Sequence, residues 1–553
     1  MSPAAKSWLS DTVRSLRARL IKDLKDGLES TYRLSIPASR ADLDLERASK
    51  RRRLDEWLDE QARAGNRGLK ETPAQARERH RDSALKLVAA TWLNRLVVLG
   101  QLEALGLVRT PVFTGGWNSK GFREFREFAP ALSAEDNEGY PFLLQLTFEE
   151  LAVDLPGLFG PVGLTALIPL PTATLRHLVE TLQADALSAE DRIGLWRDDT
   201  LLGWVYQFWN DPEREALDEK IRNGGKIENH EIAAKTQLFT DRYMVEWLLQ
   251  NSLGQIWLEM CDRHGWTAEV EASGTLDRLE ARRADWRGRR ERGEVDEEAL
   301  MPLESDLEER WKYYVPRPIQ CGEGIPHRLS DLKLLDPACG SGHFLVIAFD
   351  LLAALYQEEA AHRGETLSPA DIARSIVENN LHGLDIDPRA VQIAAAALWL
   401  KVKTFAPKAQ SQDPAIGRIN LVASNLGLAS LAQDDPALVE LVTRVEEETG
   451  ISHTLTLRLV ETLKGADHLG SLLKVGEALD RAVLAQAPLL VGRALTLEEA
   501  RAALLARLEL FVARHSRSED LGLRLRGEQL ASGVRFIRLV REGQYHLVVG
   551  NPP

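Results

Sequence analysis

The sequence predicts an α/β fold in which a parallel sheet follows a mainly helical N-terminal segment. Three observations predict it. From Leu332 onward, short apolar runs alternate with long helical patterns, the order that builds βαβ units. The first of these runs ends in a glycine-rich turn, Cys339-Gly340-Ser341-Gly342, that opens directly onto a helical pattern. The first hundred residues instead repeat apolar side chains at steps of three and four.

Taken in order, residues 8–30 read as an amphipathic helix with Leu9, Val13, Leu16, Leu20, Leu24 and Leu28 on one face. A second helical pattern, rich in Arg and Glu, covers about 40–65, and a third, from Ser83 to about Leu105, is apolar enough to be buried. TPVFTGGW (110–117) and YPFLLQLTF (140–148) read as short strands, and 175–195 and 213–222 as helices. Residues 267–313 are charge-dense and read as a helical insertion or linker outside the core. A strand then ends at Leu335, a helix covers about 344–361, a second strand ends near Asp385, and a nearly all-apolar helix covers about 390–402. Residues 428–540 read as helices and not as sheet. There is no internal repeat.

A chain of 553 residues predicts about three domains and has ample length to bury a core. Its net charge of −14 excludes a surface that is wholly a nucleic-acid glove. Residues 1–100 nevertheless hold 21 Lys and Arg against 14 Asp and Glu. The bland reading of that excess is a solvated helix face, and the sharper one is a phosphate-contacting surface. The three cysteines, Cys261, Cys321 and Cys339, allow no disulfide framework and no CxxC zinc pair, so no metal is expected. The N-terminus has charges inside its apolar pattern and is no signal peptide, and no apolar run approaches 18 residues, so a cytoplasmic protein without a membrane span is expected. The run Val548-Val549-Gly550-Asn551-Pro552-Pro553 reads as a strand entering a functional loop.

The chemistry concentrates after the first two strands. Gly340 and Gly342 let the backbone turn sharply and approach a ligand, with the free N–H groups of the next helix beside it. A dinucleotide site needs a third glycine, and position 345 is Leu. Asp336 suits a cationic ligand better than a pyrophosphate. Asp385, at the end of the second strand, can take both hydroxyls of a ribose. His343, His382 and Cys339 flank these motifs and read as packing residues, not as acid, base or nucleophile.

Together and in order, DPACGSGHF (336–344), GLDIDPRAVQIA (383–394) and VVGNPP (548–553) resemble the S-adenosylmethionine-dependent DNA N6-adenine methyltransferases of restriction and phage-exclusion systems. The longer wording of 336–352 and 381–401 is similar to the PglX-type enzymes of BREX defence, with DISARM methyltransferases as near relatives. The resemblance covers about 232–266 and 330–553. It implies a Rossmann-like methyltransferase sheet with S-adenosylmethionine as cofactor. It divides the chain into a helical N-terminal domain, 1–230, and a methyltransferase domain, 231–553, with insertions at about 267–330 and 428–540. Phe239 and Thr240 would line the methionine end of the cofactor, although Asp241 stands where the family usually has Pro. Asp336, Ala338, Gly340 and Gly342 would form the cofactor loop. Asp385 would hold the ribose, and Ile386 would pack on the cofactor adenine. Ser424 or Asn425 would accept from the adenine amine where the family usually has Asp.

Asn551, Pro552 and Pro553 match the catalytic motif, which normally continues with Tyr or Phe. The N6 lone pair of adenine is delocalised into the ring and is a poor nucleophile. Two acceptors, the Asn551 side-chain oxygen and the Pro552 carbonyl, would bond the N6 hydrogens and free the lone pair for in-line attack on a sulfonium methyl. The target base must be flipped from the duplex to reach them. The resemblance implies seven strands, of which four lie here, so later strands and a target-recognition domain are expected beyond residue 553 and the chain is expected to be inactive alone. The expected partners are double-stranded DNA, through those missing parts and the basic N-terminal helices, and other defence proteins. The alternative is a non-catalytic subunit that binds the cofactor or a partner. Glutamine amides and RNA bases are the other substrates such an Asn-Pro-Pro motif serves.

Overall fold

The computed structural model describes residues 1–65, 72–133, 139–160, 163–227, 231, 240–296, 299–319, 322, 324–406, 419–424, 431, 433–464, 481, 483–485, 496–515, 521–541 and 544–551. The N-terminal half is helical. Helix α1 (Pro3–Tyr32) starts on Ser2, whose side chain accepts from the Ala5 N–H, and buries the predicted stripe from Leu9 to Leu28. Helix α2 (Leu45–Gly65) and helix α3 (Pro73–Ala104) pack against it. Helix α3 begins ten residues before the apolar run, because Thr72 and Gln75 form a reciprocal capping box. By length and composition α3 could cross a membrane, but 72% of its apolar window is buried inside this protein, as in a core helix.

Two predicted strands are not strands. Tyr140–Leu151 is a helix that buries Tyr140, Leu144 and Phe148, a spacing of four that a continuous apolar run conceals. Residues 112–114 donate three successive N–H groups to the single Glu103 carboxylate at 2.6–2.7 Å, and Gly115 and Gly116 then turn at positive φ. With its donors taken by one side chain, that segment has none left for a ladder. The charge-dense stretch after 267 also departs from expectation: Val270, Leu279, Trp311 and Tyr314 belong to the main core.

The sheet has four parallel strands: β1 (Leu334–Asp336), β2 (Leu381–Asp385), β3 (Asn420–Ala423) and β4 (Leu547–Val548), in the order β3-β2-β1-β4. Helix α4 (Leu201–Arg222) and helix α5 (Arg242–His264) precede β1. Helix α6 (His343–Arg363) follows β1, and helix α7 (Pro388–Phe405) follows β2. Leu334 and Leu381 face the core shared with α6 and α7. Leu335, Leu384 and Val422 face a second core, built by α8 (Pro436–Thr449), α9 (Leu497–His515) and α10 (Leu521–Arg541). The helices of 428–540 therefore cover the sheet's other face, which a parallel sheet requires.

The first core runs without a break from Ala5 to Val549. Polar clamps join its parts. Lys401 of α7 bonds Asp199 at 2.8 Å and Asp350 of α6 at 2.7 Å, and Arg242 of α5 bonds Asp199 at 2.9 Å. Tyr206 of α4 donates to Asp387 Oδ2 at 2.9 Å. Asp387 also caps α7 through the Arg389 N–H and pairs with the Arg389 guanidinium at 2.7 Å. Burial works against its charge, but Arg389 holds the carboxyl below the usual range. Asp387→Ala removes cap, ion pair and acceptor together and is expected to cost about 3 kcal/mol in urea denaturation, against about 1 kcal/mol for Tyr206→Phe.

Candidate active site

The strand order places a crevice. From β1 the chain steps outward to β2 and β3, then returns to pair β4 with the other edge of β1. At such a reversal the loops leaving the carboxyl ends of neighbouring strands diverge, and a ligand crevice opens between them. Those loops are 337–342 after β1 and 549–551 after β4.

The loop after β1 is held from the next strand. Gly340 N–H donates to Asp385 Oδ2 at 2.8 Å, and Asp387 N–H donates to Asp385 Oδ1 at 2.7 Å. Cys339 N–H donates to the Leu384 carbonyl at 2.8 Å, and Ser424 N–H to the Asp385 carbonyl at 2.8 Å. One carboxylate thus fixes both βα turns. Gly342 has φ +83°, and a Cβ there would lie 2.8 Å from the Ala394 Cβ, so only glycine lets α6 start this close to α7. Asp336, 1% exposed, accepts from the Ala338 N–H at 3.1 Å. The Ser424 hydroxyl is buried with no hydrogen-bond partner among the described residues. Ile386 is half-buried beside Asp385.

Two acids therefore meet in low dielectric. Burial, with Asp385 nearby, pushes Asp336 up to about 7. Burial, with repulsion from Asp387, pushes Asp385 up to about 6. Neither forms an ion pair among the described residues, so the crevice favours a ligand that brings positive charge or hydrogen-bond donors.

The far side is built by β4. Val549 N–H continues the pairing to the Leu335 carbonyl at 2.9 Å. A Cβ on Gly550 would lie 2.8 Å from Asp336 Oδ1, so the backbone rests on that carboxylate. The Asn551 amide nitrogen then donates to Thr240 Oγ1 at 3.3 Å, across 311 positions of sequence. Thr240 precedes α5, and its backbone touches His343, the first residue of α6. These contacts link Asp336, Ala338, Gly340, Asp385, Ser424 and Gly550 at the carboxyl ends of the strands, set Gly342 against Ala394 and join Asn551 to Thr240, with Ile386 next to Asp385 in sequence. Phe239, Asn425, Pro552 and Pro553 lie outside the described residues.

The flanking residues are packing groups. Burial, with Arg242 close by, pushes His343 down to about 4, so it is neutral near pH 7. His382 bonds the Asn380 carbonyl at 3.1 Å and packs edge-on against Tyr545. Cys339 is buried against Gly383, and its thiol is raised well above the ordinary value by burial. Sequence reasoning missed Gly550, whose signal was a glycine set between an apolar run and Asn551. It also missed Tyr206, for which no local signal exists. A separate cavity of about 300 Å³ lies between α5, α6 and the short helix Asp306–Trp311, lined by Arg242, Glu246, Gln250, Arg310 and Asp350 among others.

The sequence of this region is similar to known proteins. Residues 323–421 match the MmeI DNA-methyltransferase domain, and residues 379–553 match the Eco57I restriction-modification methylase. The sequence is 31% identical to the adenine-specific methyltransferase PglX of Lacticaseibacillus casei (strain Zhang), over 42% of this chain and 16% of the relative. It is 26% identical to the adenine-specific methyltransferase BrxX of Escherichia coli O9:H4 (strain HS), over 64% of this chain and 27% of the relative. It is 30% identical to DNA methyltransferase A of Bacillus subtilis (strain 168), over 14% of this chain and 9% of the relative. The chain therefore spans less than a third of the length of these relatives. It is similar to the PglX and BrxX adenine-specific methyltransferases, and its residues 323–553 match DNA-methyltransferase and restriction-modification methylase domains.

Proposed function

We propose that this chain binds S-adenosylmethionine in the crevice beyond β1 and β4 and carries the amine-activating half of a DNA adenine-N6 methyl transfer, in a cytoplasmic restriction or phage-defence system. The observation that carries the reading is the convergence of Asp336, Asp385, the Gly340–Gly342 turn and Asn551 at one sheet reversal. The sheet is then a Rossmann-like methyltransferase sheet. Residues 1–230 form its helical N-terminal domain, and residues 231–553 form the methyltransferase part.

The residues fit the donor. Two raised carboxyls without ion-pair partners among the described residues suit a ligand carrying a sulfonium and an ammonium group. The Ser424 hydroxyl offers a buried acceptor. Bound there, the donor supplies an electrophilic methyl. Asp385 has its oxygens oriented by two backbone N–H groups and takes the ribose hydroxyls with its remaining lone pairs. Thr240 and Ile386 line the donor, with Phe239 and Asn425 as further contacts. Asn551 acts on the substrate. Its amide nitrogen is held by Thr240, which leaves Oδ1 to accept an N6 hydrogen from a flipped adenine. The Pro552 carbonyl would take the other hydrogen, and Pro553 completes the Asn-Pro-Pro motif. Double-stranded DNA is the proposed substrate.

Calorimetry with S-adenosylmethionine tests the pocket. Asp385→Ala is expected to weaken binding by about 1–3 kcal/mol, and unchanged affinity would remove the ribose assignment. With the C-terminal part of a full-length relative supplied in trans, Asn551→Ala is expected to keep donor affinity while abolishing labelled methyl incorporation into adenine-containing duplex DNA. Donor binding with no incorporation by the unsubstituted protein under the same complementation would favour the non-catalytic subunit instead.

The two raised acids give a pH dependence. Folded Asp336 holds a proton that the unfolded chain releases, so its contribution to stability is present at low pH and is lost as pH rises from about 4 through about 7. Asp336→Asn is expected to raise the ligand-free Tm at pH 8, by roughly 1–3 kcal/mol of stability, and to change it little at pH 4. Donor affinity of the parent is expected to rise over the same interval, as the carboxylates ionise. Thermal melts and titrations at matched ionic strength measure both.

A further inference from the structure

The C-terminal ends of α5 and α6 carry a group that the methyl-transfer reading does not use. Cys261 of α5 faces Glu358 and His362 of α6, and the three donor atoms lie within 4.8 Å of one another. Glu358 and His362 are four residues apart on one helix, which stacks their side chains one turn above the other. Their nearest atoms are 3.8 Å apart. Cys261 is buried and free. His362 Nε2 is buried with no hydrogen-bond partner among the described residues. The imidazole is fixed by a parallel stack on Trp266, with centroids 5.0 Å apart and planes 4° apart. Arg363 covers Trp266 at 4.9 Å.

The charges at this point ask for a cation. Glu358 is largely buried, and its only ion-pair partner among the described residues is His362. It accepts the Glu269 N–H at 2.6 Å. Burial, with Glu358, Glu271 and Glu359 nearby, raises the Cys261 thiol. Burial, opposed by the Glu269 N–H bond, raises Glu358. Arg363, the nearest guanidinium on the same helix, pairs with Glu359 instead, at 3.0 Å. Arg310 approaches Glu269, at 3.9 Å.

We propose that Cys261 Sγ, a Glu358 carboxylate oxygen and His362 Nε2 bind a zinc ion. Thiolate, imidazole and carboxylate are the zinc donor set, and the sulfur and nitrogen donors disfavour magnesium and calcium. Zinc holds its donors at about 2.0–2.3 Å, hence about 3.3–3.8 Å apart, so small side-chain rotations close the site. Three protein donors leave a fourth position for water. The Zn–S bond forms as the Cys261 S–H bond breaks, and that proton goes to solvent, with a second from Glu358 where it is protonated. The ion would clamp α5 to α6 at one end, while their opposite ends carry Thr240, Gly342 and His343 at the crevice. Zinc would then fix the alignment of the two helices that frame the crevice. The proposal rests on these three side chains alone and stands or falls independently of the methyl-donor reading.

The purified chain, stripped with a chelator and reloaded, tests it with zinc and with cobalt(II) as the spectroscopic probe. One zinc per chain by mass spectrometry is expected, and cobalt is expected to give a thiolate-to-metal charge-transfer band. The band is expected to vanish in Cys261→Ser and to persist in Cys321→Ser. Because Cys261 is buried and its substitution can unfold the chain, His362→Gln at the helix edge decides. With its circular dichroism unchanged, it is expected to lose more than about 100-fold in zinc affinity, beyond the loss typical of an outer-shell partner. A folded parent that binds no cobalt, a band that survives in Cys261→Ser, or unchanged zinc affinity in His362→Gln would overturn the site.

Discussion

The structure depends on one carboxylate shared between two turns. Asp385 receives the Gly340 N–H on one oxygen and the Asp387 N–H on the other. The first bond fixes the turn after β1, and the second fixes the turn after β2. A buried charge is costly unless hydrogen-bonded, and here the bonds that offset the cost also shape the crevice. The Asp336 carboxyl lies next to it, raised by the same burial and pressed by the Gly550 backbone. Such a cluster is held in place by the rest of the fold, and a ligand bringing positive charge or hydrogen-bond donors would complement it.

The surrounding helices serve that geometry. Tyr206, from a helix about 180 residues earlier, bonds the Asp387 that caps the second turn. Asp199 ties Lys401 and Arg242 together, so the N-terminal half, α5 and α7 meet at one ionic junction. The helices of 428–540 fill the other face of the sheet through Leu335, Leu384 and Val422. A parallel sheet of four short strands would expose its hydrophobic face without them. Thr240 and Asn551, 311 positions apart in sequence, close the ring of contacts.

Much of this was legible in the sequence, because the decisive elements are locally encoded. The stripe from Leu9 to Leu28, the strand ending at Leu335, the Gly340 and Gly342 turn and the acid closing β2 each depend on neighbours in sequence. The failures have physical causes. YPFLLQLTF is continuously apolar, and such a run has no visible period until Tyr140, Leu144 and Phe148 are seen to share a face. TPVFTGGW has strand composition, but Glu103 captures its N–H groups from outside the window. The charged stretch after 267 hides Val270, Leu279 and Trp311, whose apolar partners lie elsewhere in the chain. The Tyr206 and Asp387 bond and the Cys261, Glu358 and His362 group unite distant segments, and no local pattern announces either.

Backbone hydrogen exchange with and without S-adenosylmethionine locates the proposed donor site without altering any residue. Slowed exchange confined to 336–343, 385–387 and 424 is expected. A saturating donor that leaves those amides unchanged, or that protects only the cavity between α5 and α6, would contradict it.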